Sequence, residues 1–244
     1  NVVAQLGNYN AYDVDPTTLV GTDGRINPNA NLLWDDNWTE DLFRTGYKQD
    51  YNINVNGGTE KSMYFVSLGY VNEEGILKDS DFERFTARVN AEMDVTDWMK
   101  IGLSTNAATY TTNNFSEDNS TTSNPFFFTR VMGPIFPIYA YNTWNQPNAG
   151  ERILDADGQP IFDFGSGEMT FQDGYGNTVN GLRPYAGTFN LRASLSLDER
   201  STEVDAVSAR TFVDFKLLEG LSLRTNLSVD YNGDRKSTRL NSSH

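Results

Sequence analysis

Two pairs of acidic residues come closest to a catalytic arrangement in this sequence. Asp155 with Asp157, and Glu117 with Asp118, offer the paired carboxyl groups that glycoside hydrolysis requires. The chain contains no cysteine, and its single histidine, His244, lies in a terminal segment that does not resemble native sequence. Cysteine nucleophiles, Ser–His–Asp triads and histidine-ligated zinc are therefore excluded. Because acidic side chains are far commoner in solvated turns, we predict that the protein is not an enzyme.

Glycine-rich and acidic turns also fall short of a cofactor or metal site. Residues 155–158 (DADG) lack the third spaced acid and the distal glutamate of a calcium loop. Residues 165–167 (GSG) and 174–176 (GYG) lack the strand–helix setting of a phosphate-binding loop. A net charge of −14 disfavours nucleic acid as a partner, because phosphate binding needs clustered lysine and arginine. We predict no catalytic residues, no cofactor and no metal.

Aromatic residues in the middle of the chain are the best candidates for a binding function. They fall in residues 113–200, which hold most of the proline and glycine and show no regular period. Aromatic rings in such a loop region can stack on sugar rings or contact a partner protein. The alternative is that they fold the loop against itself or plug a channel mouth. The predicted contact residues are Phe126, Phe127, Phe128, Tyr139, Tyr141 and Trp144.

Alternating apolar and polar residues predict the strands that carry this loop. Tyr51, Ile53 and Val55 alternate with asparagines, and the same period of two recurs through residues 47–112 and again from residue 204. Such alternation is typical of a strand with one apolar face and one polar face. We expect four strands in two hairpins before the loop, and a third hairpin after it. Asn190–Asp198 fits a short helix or a strand equally well.

Turn signals predict how these strands connect. Tight turns are expected at 57–60, where two glycines can take positive φ, at 96–98 and at 218–220. Longer connections are expected at 72–81 and 113–200, and alternating strand direction places them at the opposite end. A short helix is expected over residues 39–44, with Asn37 as its N-cap and Gly46 closing the segment.

Alternation alone does not decide whether the apolar face contacts lipid or a protein core. No apolar run reaches the roughly 18 residues of a membrane-spanning helix, but a spanning strand needs only about 9–11 residues. Short turns at one end and long loops at the other are the plan of outer-membrane barrels. A soluble sheet with one solvated face alternates in the same way. Aromatic residues near the strand ends are typical of an interfacial girdle: Tyr51, Tyr64, Tyr70, Phe85, Trp98 and Tyr110.

Two arginines and the last eleven residues each allow two interpretations. Arg84 and Arg88 lie on the polar face of a strand, where they either meet an anionic substrate or pair with carboxylates. Residues 234–244 (DRKSTRLNSSH) resemble the in-frame translation of a sequencing adapter rather than native sequence, the alternative being an ordinary polar tail. We therefore expect the chain to be a fragment of a longer protein.

The amino-acid sequence of residues 37–102 resembles that of the early barrel of SusC/RagA-type TonB-linked outer-membrane transporters. The matching elements appear in the same order: an FRTG entry, a GG-x-EK hairpin, S-x-GY-x-NEEGI, R-x-N and TDW. The later segment 217–226 also fits. The residues that carry the resemblance are Trp38, Phe43, Arg44, Thr45, Gly46, Gly57, Gly58, Glu60, Lys61, Ser67, Gly69, Tyr70, Asn72, Glu73, Glu74, Gly75, Ile76, Arg88, Asn90, Thr96, Asp97 and Trp98.

This resemblance implies a fold, a location and partners. Family members form a barrel of about 22 strands with an N-terminal plug, import oligosaccharides or peptides, draw on TonB and pair with a SusD-like surface lipoprotein. The implied location is the cell outer membrane, in contact with its lipid. The plug and the TonB-contacting segment are absent from these residues. The alternatives are a soluble carbohydrate-binding β-domain and a surface structural protein.

The predicted fold class is all-β. It is an antiparallel up-and-down sheet, a partial segment of a transmembrane β-barrel with a long irregular extracellular loop region. The predicted segments are a loop and short helix at 1–46, two barrel hairpins at 47–112, the extracellular loop region at 113–203, a barrel hairpin at 204–233 and the adapter-derived end at 234–244.

Overall fold

A computed structural model describes residues 2–113, 123–173 and 175–240. The described residues form two compact units. The sheet unit comprises 44–113 and 198–240, and the loop unit comprises 2–43 and 123–197. The elements in chain order are α1 (Val2–Gln5), α2 (Trp38–Leu42), β1 (Tyr47–Thr59), β2 (Ser62–Glu74), β3 (Asp81–Thr96), β4 (Met99–Asn113), α3 (Pro125–Val131), β5 (Ser166–Gln172), β6 (Thr178–Leu182), α4 (Leu191–Leu197), β7 (Asp198–Leu218) and β8 (Leu221–Leu240).

The sheet unit is one antiparallel sheet in the order β1-β2-β3-β4-β7-β8. Strands that follow one another within the unit are neighbours, so the predicted up-and-down meander is confirmed. Within the described residues, β1 and β8 each pair with a single strand, and the sheet is open. The three tight connections lie at one end of the strands. The longer connections leave from the other end, where Glu74 pairs with Asp81 and Asn113 with Ser201.

The first turn differs from the prediction. Gly57 and Gly58 lie inside β1, opposite Tyr64 and Met63, and the turn falls at Glu60 and Lys61. Neither glycine has a positive φ. The side chain of Tyr64 lies across Gly57, where an added Cβ would stand 2.6 Å from the tyrosine oxygen. Glycine is therefore needed here to make room for a cross-strand aromatic ring rather than to form a turn.

The last hairpin is longer than predicted. β7 begins at Asp198 rather than residue 204, and β8 continues to Leu240, paired with Asp198. The predicted adapter-derived residues 234–240 thus lie in β8. Residues 198–203 are polar throughout, so alternation in the sequence cannot reveal them as strand. Ladder hydrogen bonds join backbone groups and do not require an apolar face.

The loop unit has its own core, in which segments distant in sequence meet. Asn37 caps α2 as predicted by accepting from the backbone N–H groups of Thr39 and Glu40, at 3.1 and 3.3 Å. The helix ends at Leu42 and not at residue 44. Trp38 is buried, and its indole N–H donates to the carbonyl of Phe136 at 2.8 Å. Other fully buried side chains are Tyr9, Leu42, Phe128, Met169, Phe171 and Leu191.

Short helices and one small hairpin fill the region that appeared irregular in the sequence. α4 covers 191–197, so the open choice for residues 190–198 resolves to a helix that leads directly into β7. β5 and β6 pair with each other outside the large sheet. None of the helices in the described ranges is long and apolar enough to cross a membrane.

Candidate functional site

The register of the sheet unit gathers its apolar side chains on one face. Val55, Val66 and Val89 lie side by side across β1, β2 and β3. The neighbouring row contains Ile53, which is 68% exposed although it belongs to the apolar set. This apolar face is therefore uncovered within the sheet unit. Its rows are Ile53–Leu68–Ala87–Ala107–Val207–Tyr231, Val55–Val66–Val89–Thr105–Ala209–Val229 and Tyr64–Ala91–Leu103–Thr211–Leu227.

Aromatic residues mark both limits of the apolar face. At the long-connection end, the rings of Tyr51, Tyr70 and Phe85 lie in one row, with centroids 6.5 and 4.6 Å apart. At the tight-turn end, Trp98 stacks on Phe215 at 6.1 Å. The next row beyond the first limit is polar and consists of Gln49–Asn72–Glu83–Thr111–Glu203.

The height of the apolar band equals that of a membrane-spanning strand. On β3 the band runs from Phe85 to Met93, which is nine positions (93 − 85 + 1). A spanning strand needs about 9–11 residues. The band therefore has both the height and the aromatic borders of a transmembrane strand surface. Tyr110, which we predicted in the aromatic girdle, lies instead opposite Arg84 on the polar face, because the even-numbered residues of β4 face that way.

The polar face is lined mainly by amides and hydroxyls. Arg88 Nε donates to Asn106 Oδ1 at 2.7 Å, and Ser104 Oγ donates to Asn90 Oδ1 at 2.8 Å. Arg88 and Asn106, together with neighbouring side chains, border a cavity of about 700 Å³. Arg84 lies over the ring of Phe82, 5.9 Å from its centroid. In the described part of the chain, neither Arg84 nor Arg88 has a carboxylate partner, so no arginine–carboxylate ladder forms there.

Charged pairs on the polar face lie nearer the tight turns. Lys100 is 3.9 Å from Glu92 and 3.8 Å from Asp94. Arg224 Nε donates to Asp214 Oδ1 at 2.6 Å, and its guanidinium lies 4.5 Å from the centroid of the Phe212 ring. The polar face thus divides into an amide-rich part, which also carries Arg84 and Arg88, and a part near the tight turns whose charged groups are paired.

Residues of the FRTG and NEEGI motifs hold the start of β1 against the connection between β2 and β3. The backbone N–H of Arg44 donates to the carbonyl of Ile76 at 2.8 Å. Its side chain donates to the carbonyl of Gly75 at 3.0 Å and to Asp81 at 2.5 Å. At Gly46 an added Cβ would stand 2.6 Å from the carbonyl oxygen of Glu74. These contacts give the two motifs a structural reason to occur together.

The three phenylalanines of the predicted contact set lie on α3 and differ in exposure. Asn124 caps this helix by accepting from the backbone N–H groups of Phe126 and Phe127. Phe126 and Phe127 are 54% and 41% exposed, and the ring of Phe126 lies 5.1 Å from that of Phe43. Phe128 is fully buried against Trp38 at 4.9 Å. Phe128 therefore serves the core, whereas the other two remain accessible.

The remaining three predicted residues lie in another part of the loop unit. Tyr139 stacks on Phe162 at 5.1 Å, and Tyr141, which is buried, stacks on Trp34 at 5.5 Å. Trp144 is half-buried, and its indole N–H has no hydrogen-bond partner among the described residues. No ring contact in the described ranges joins this group to the phenylalanines of α3. The six aromatic residues thus do not form one site, and their contact with a substrate or partner stays a prediction.

Arg152 joins this aromatic group, although no pattern in the sequence points to it. Its guanidinium lies 4.2 Å from the centroid of the Tyr139 ring, and its Nε donates to the Tyr141 hydroxyl at 3.4 Å. That hydroxyl donates in turn to Asp36 Oδ1 at 2.9 Å. The hydrogen bond with Tyr141 raises the pKa of Arg152, and burial raises the pKa of Tyr141. The guanidinium is held in place while the residue remains exposed.

A buried polar cluster lies at the centre of the loop unit. The Tyr9 hydroxyl contacts both carboxylate oxygens of Asp163, at 2.9 and 2.8 Å, and both residues are fully buried. Arg183 donates to the carbonyls of Asp163 and Phe189, at 3.3 and 2.7 Å. Asn190 donates to the carbonyls of Ile138 and Asp163. The cluster connects four segments that have no local pattern in common, which is why the sequence did not reveal it.

Burial of Asp163 predicts that the loop unit becomes less stable as the pH rises. Burial raises the pKa of this carboxyl from 3.8 to about 6, although the charge of Arg183 and the Tyr9 hydroxyl act in the opposite direction. The native state therefore binds the proton more tightly than the unfolded state, and stability falls between about pH 4 and pH 6, by roughly 3 kcal/mol. Above about pH 6 this contribution stays constant.

Hydrogen exchange in the intact parent protein measures this effect. Local unfolding free energies of the segment around Asp163 at pH 4.5 and pH 7, corrected for intrinsic exchange rates, should differ in the stated direction. The Asp163→Asn variant should lose the difference, since the asparagine does not titrate. A wild-type stability that is flat or rises over this range would contradict the assignment.

The acidic and glycine-rich motifs take structural positions where the structure describes them. The Asp155 carboxylate accepts from the backbone N–H groups of Asp157 and Gln159, at 2.9 and 2.8 Å, and so closes its own turn. Glu117, Asp118 and Gly174 lie outside the described residues. No group of three metal-binding side chains occurs in the part of the chain that the structure covers.

Sequence comparison identifies relatives among TonB-dependent receptors, although no protein-family model matches the chain. The receptor SusC of Bacteroides thetaiotaomicron is 42% identical over 72 residues, which is 25% of this chain and 7% of SusC. The receptor P3 of Formosa agariphila is 26% identical over 193 residues, 77% of this chain and 16% of P3. The chain therefore spans only a small part of the curated relatives it matches.

Solved structures with a similar fold are those of the RagAB peptide transporter. One of them superposes with a TM-score of 0.56 and 19% identity, covering 84% of this chain and 20% of the other. RagAB in the closed-closed state gives a TM-score of 0.55 and 20% identity over the same shares. At this identity the likeness establishes the fold alone. Together with the sequence matches it confirms the predicted resemblance and the predicted partial-barrel fold.

Proposed function

We propose that this chain, a SusC/RagA-type TonB-dependent receptor segment in sequence and fold, forms part of the barrel wall of an outer-membrane nutrient importer. The observation that carries the proposal is the uncovered apolar band of the sheet unit. A contiguous exposed apolar surface that extends across the strands of a sheet indicates contact with a membrane or with another protein. Its aromatic borders and its height of nine residues are those expected for the lipid-facing band of an outer-membrane barrel.

The opposite face of the sheet suits a wet lumen. Amide and hydroxyl side chains there replace the apolar packing that a closed soluble barrel would need, and the charged groups near the tight turns are paired. The cavity on this face offers hydrogen-bonding groups to a polar solute. On this proposal the cargo is an oligosaccharide or a peptide.

The resemblance to the family supports two protein partners, a surface lipoprotein and TonB. A SusD-like surface lipoprotein is the proposed partner of the loop unit, whose exposed rings of Phe126 and Phe127 offer apolar contact. TonB would act through parts of the parent protein outside these residues. The outer leaflet would border the aromatic row of Tyr51, Tyr70 and Phe85.

Deletion of the parent gene in the source bacterium tests the proposed function. The deletion should abolish growth on at least one nutrient in a panel of oligosaccharides and peptides, and leave growth on the corresponding monomers unchanged. Restoring the gene should restore growth only in a strain with intact TonB. In wild-type cells the protein should fractionate with the outer membrane and require detergent for extraction. A protein that is monodisperse without detergent would instead be a soluble carbohydrate-binding β-domain.

A further inference from the structure

The side chain of Arg152 is held in one orientation by three groups of the loop unit. Its guanidinium lies over the Tyr139 ring at 4.2 Å, and Tyr139 is itself stacked on Phe162. The Tyr141 hydroxyl accepts from Nε, and Asp36 orients that hydroxyl. Asp36 is anchored in turn, because its second carboxylate oxygen accepts the backbone N–H of Ile138 at 2.8 Å. A surface arginine without such support loses rotamer freedom when it binds, whereas Arg152 has already lost much of it.

The outward side of this guanidinium has no partner. Across the described ranges, Arg152 forms no ion pair, and its only hydrogen bond uses Nε. Both terminal amino groups are therefore available in a residue that is exposed. This is unusual in a chain of 33 acidic and 19 basic residues, where carboxylates greatly outnumber the cations that need them. An oriented cation left unpaired in such a chain favours a ligand that brings its own negative charge.

We propose that Arg152, oriented by Tyr139, Tyr141 and Asp36, binds a carboxylate group of the imported nutrient. The two free amino groups of a guanidinium match the two oxygens of a carboxylate in a planar, bidentate pair. Tyr139 and Tyr141 act here as positioning residues, and Arg152 alone contacts the ligand. The carboxylate belongs either to a uronic acid in an oligosaccharide or to the C-terminus of a peptide. This inference rests on the proposed function, because it requires that the loop unit meets the cargo.

Equilibrium binding to the detergent-solubilised parent protein tests the inference with two matched pairs of probes. The first pair is tri-galacturonic acid and its methyl ester. The second pair is a pentapeptide with a free C-terminus and the same peptide as its C-terminal amide. In the wild type, the charged member of one pair should bind about 10-fold or more tightly than its neutral partner. The pair that shows the difference identifies the source of the carboxylate.

Variants at two arginines separate the site from the general charge. Arg152→Gln should bring the affinities of the charged and neutral probes to within about 2-fold of each other. Arg152→Lys keeps the charge but loses the planar fork, so it should retain only part of the difference. Arg25→Gln, an exposed arginine of the same unit, changes the net charge equally and should leave the preference intact.

Two results would overturn the inference. One is a wild-type protein that binds neither charged probe more tightly than its neutral partner, including one that binds none of the four. The other is an equal loss of the preference in the Arg25 and Arg152 variants. Neither result affects the growth and fractionation tests of the importer, since an importer of neutral cargo would still pass them. Failure of those tests would leave the measured charge preference unchanged.

Discussion

Replacing Val66 with arginine should lower the free energy of unfolding of the whole barrel by about 2–4 kcal/mol. Val66 lies between Val55 and Val89 in the middle of the apolar band. It is four positions from the aromatic row at Tyr70 and four from the start of β2 at Ser62. If the apolar band borders lipid, as proposed, a charge at this depth must leave water for hydrocarbon, and the distance to either border limits how far the side chain can reach towards water.

An arginine on the other face of the sheet supplies the control. Asn54 is adjacent to Val55, at nearly the same depth, but belongs to the polar face. Asn54→Arg should change the unfolding free energy by less than about 1 kcal/mol, as for a solvated surface substitution. The measurement is reversible unfolding of the parent barrel by guanidinium chloride in lipid vesicles. If the two arginines cost the same, the apolar face does not border lipid.

Alternation along the strands was sufficient to predict the faces of the sheet. The spacing of Tyr51, Ile53 and Val55 alone predicts that they share one face, and the register confirms it. Spacing is sufficient because the side-chain period of a strand is two. A register shifted by one residue would move all the apolar side chains of that strand to the polar face. The predicted contact with lipid, which rests on the turn asymmetry and the family resemblance, gains support from the height of the band and its aromatic borders, and these appear only once the strands are aligned.

Features that depend on contacts between residues distant in sequence could not be predicted correctly from local patterns. The glycines at 57 and 58 were assigned to a turn, because nothing nearby in the sequence indicates that Tyr64 will cover Gly57. The first residues of β7 are polar in sequence, so alternation does not reveal them, and the end of β8 lies in the residues predicted to derive from an adapter. Arg152 gave no signal at all, since its partners Tyr139, Tyr141 and Asp36 are brought together by the fold of the loop unit.

The buried cluster of the loop unit supports the second large effect, which is expected for Arg183→Met. Arg183 is only 5% exposed, and its charge lowers the pKa of the fully buried Asp163. Methionine matches its length but removes the charge and both backbone hydrogen bonds. The Asp163 carboxylate then lacks the positive charge that lowers its pKa, and leaving a buried charge uncompensated costs about 3–5 kcal/mol. The loss should appear as faster hydrogen exchange in segments 134–141 and 160–165 of the parent protein, with β2 as an unaffected reference.

A second substitution distinguishes lost charge compensation from lost packing. Adding Asp163→Asn to Arg183→Met removes the uncompensated charge, so part of the stability should return although the arginine is still absent. If Arg183 acted only by filling space, the second change would remove a further hydrogen-bond acceptor of Tyr9 and make the loop unit less stable still. Recovery in the double variant therefore indicates an electrostatic role, and additional loss indicates a packing role. The exposed Arg25→Met substitution should leave both segments unchanged, which excludes a general effect of net charge.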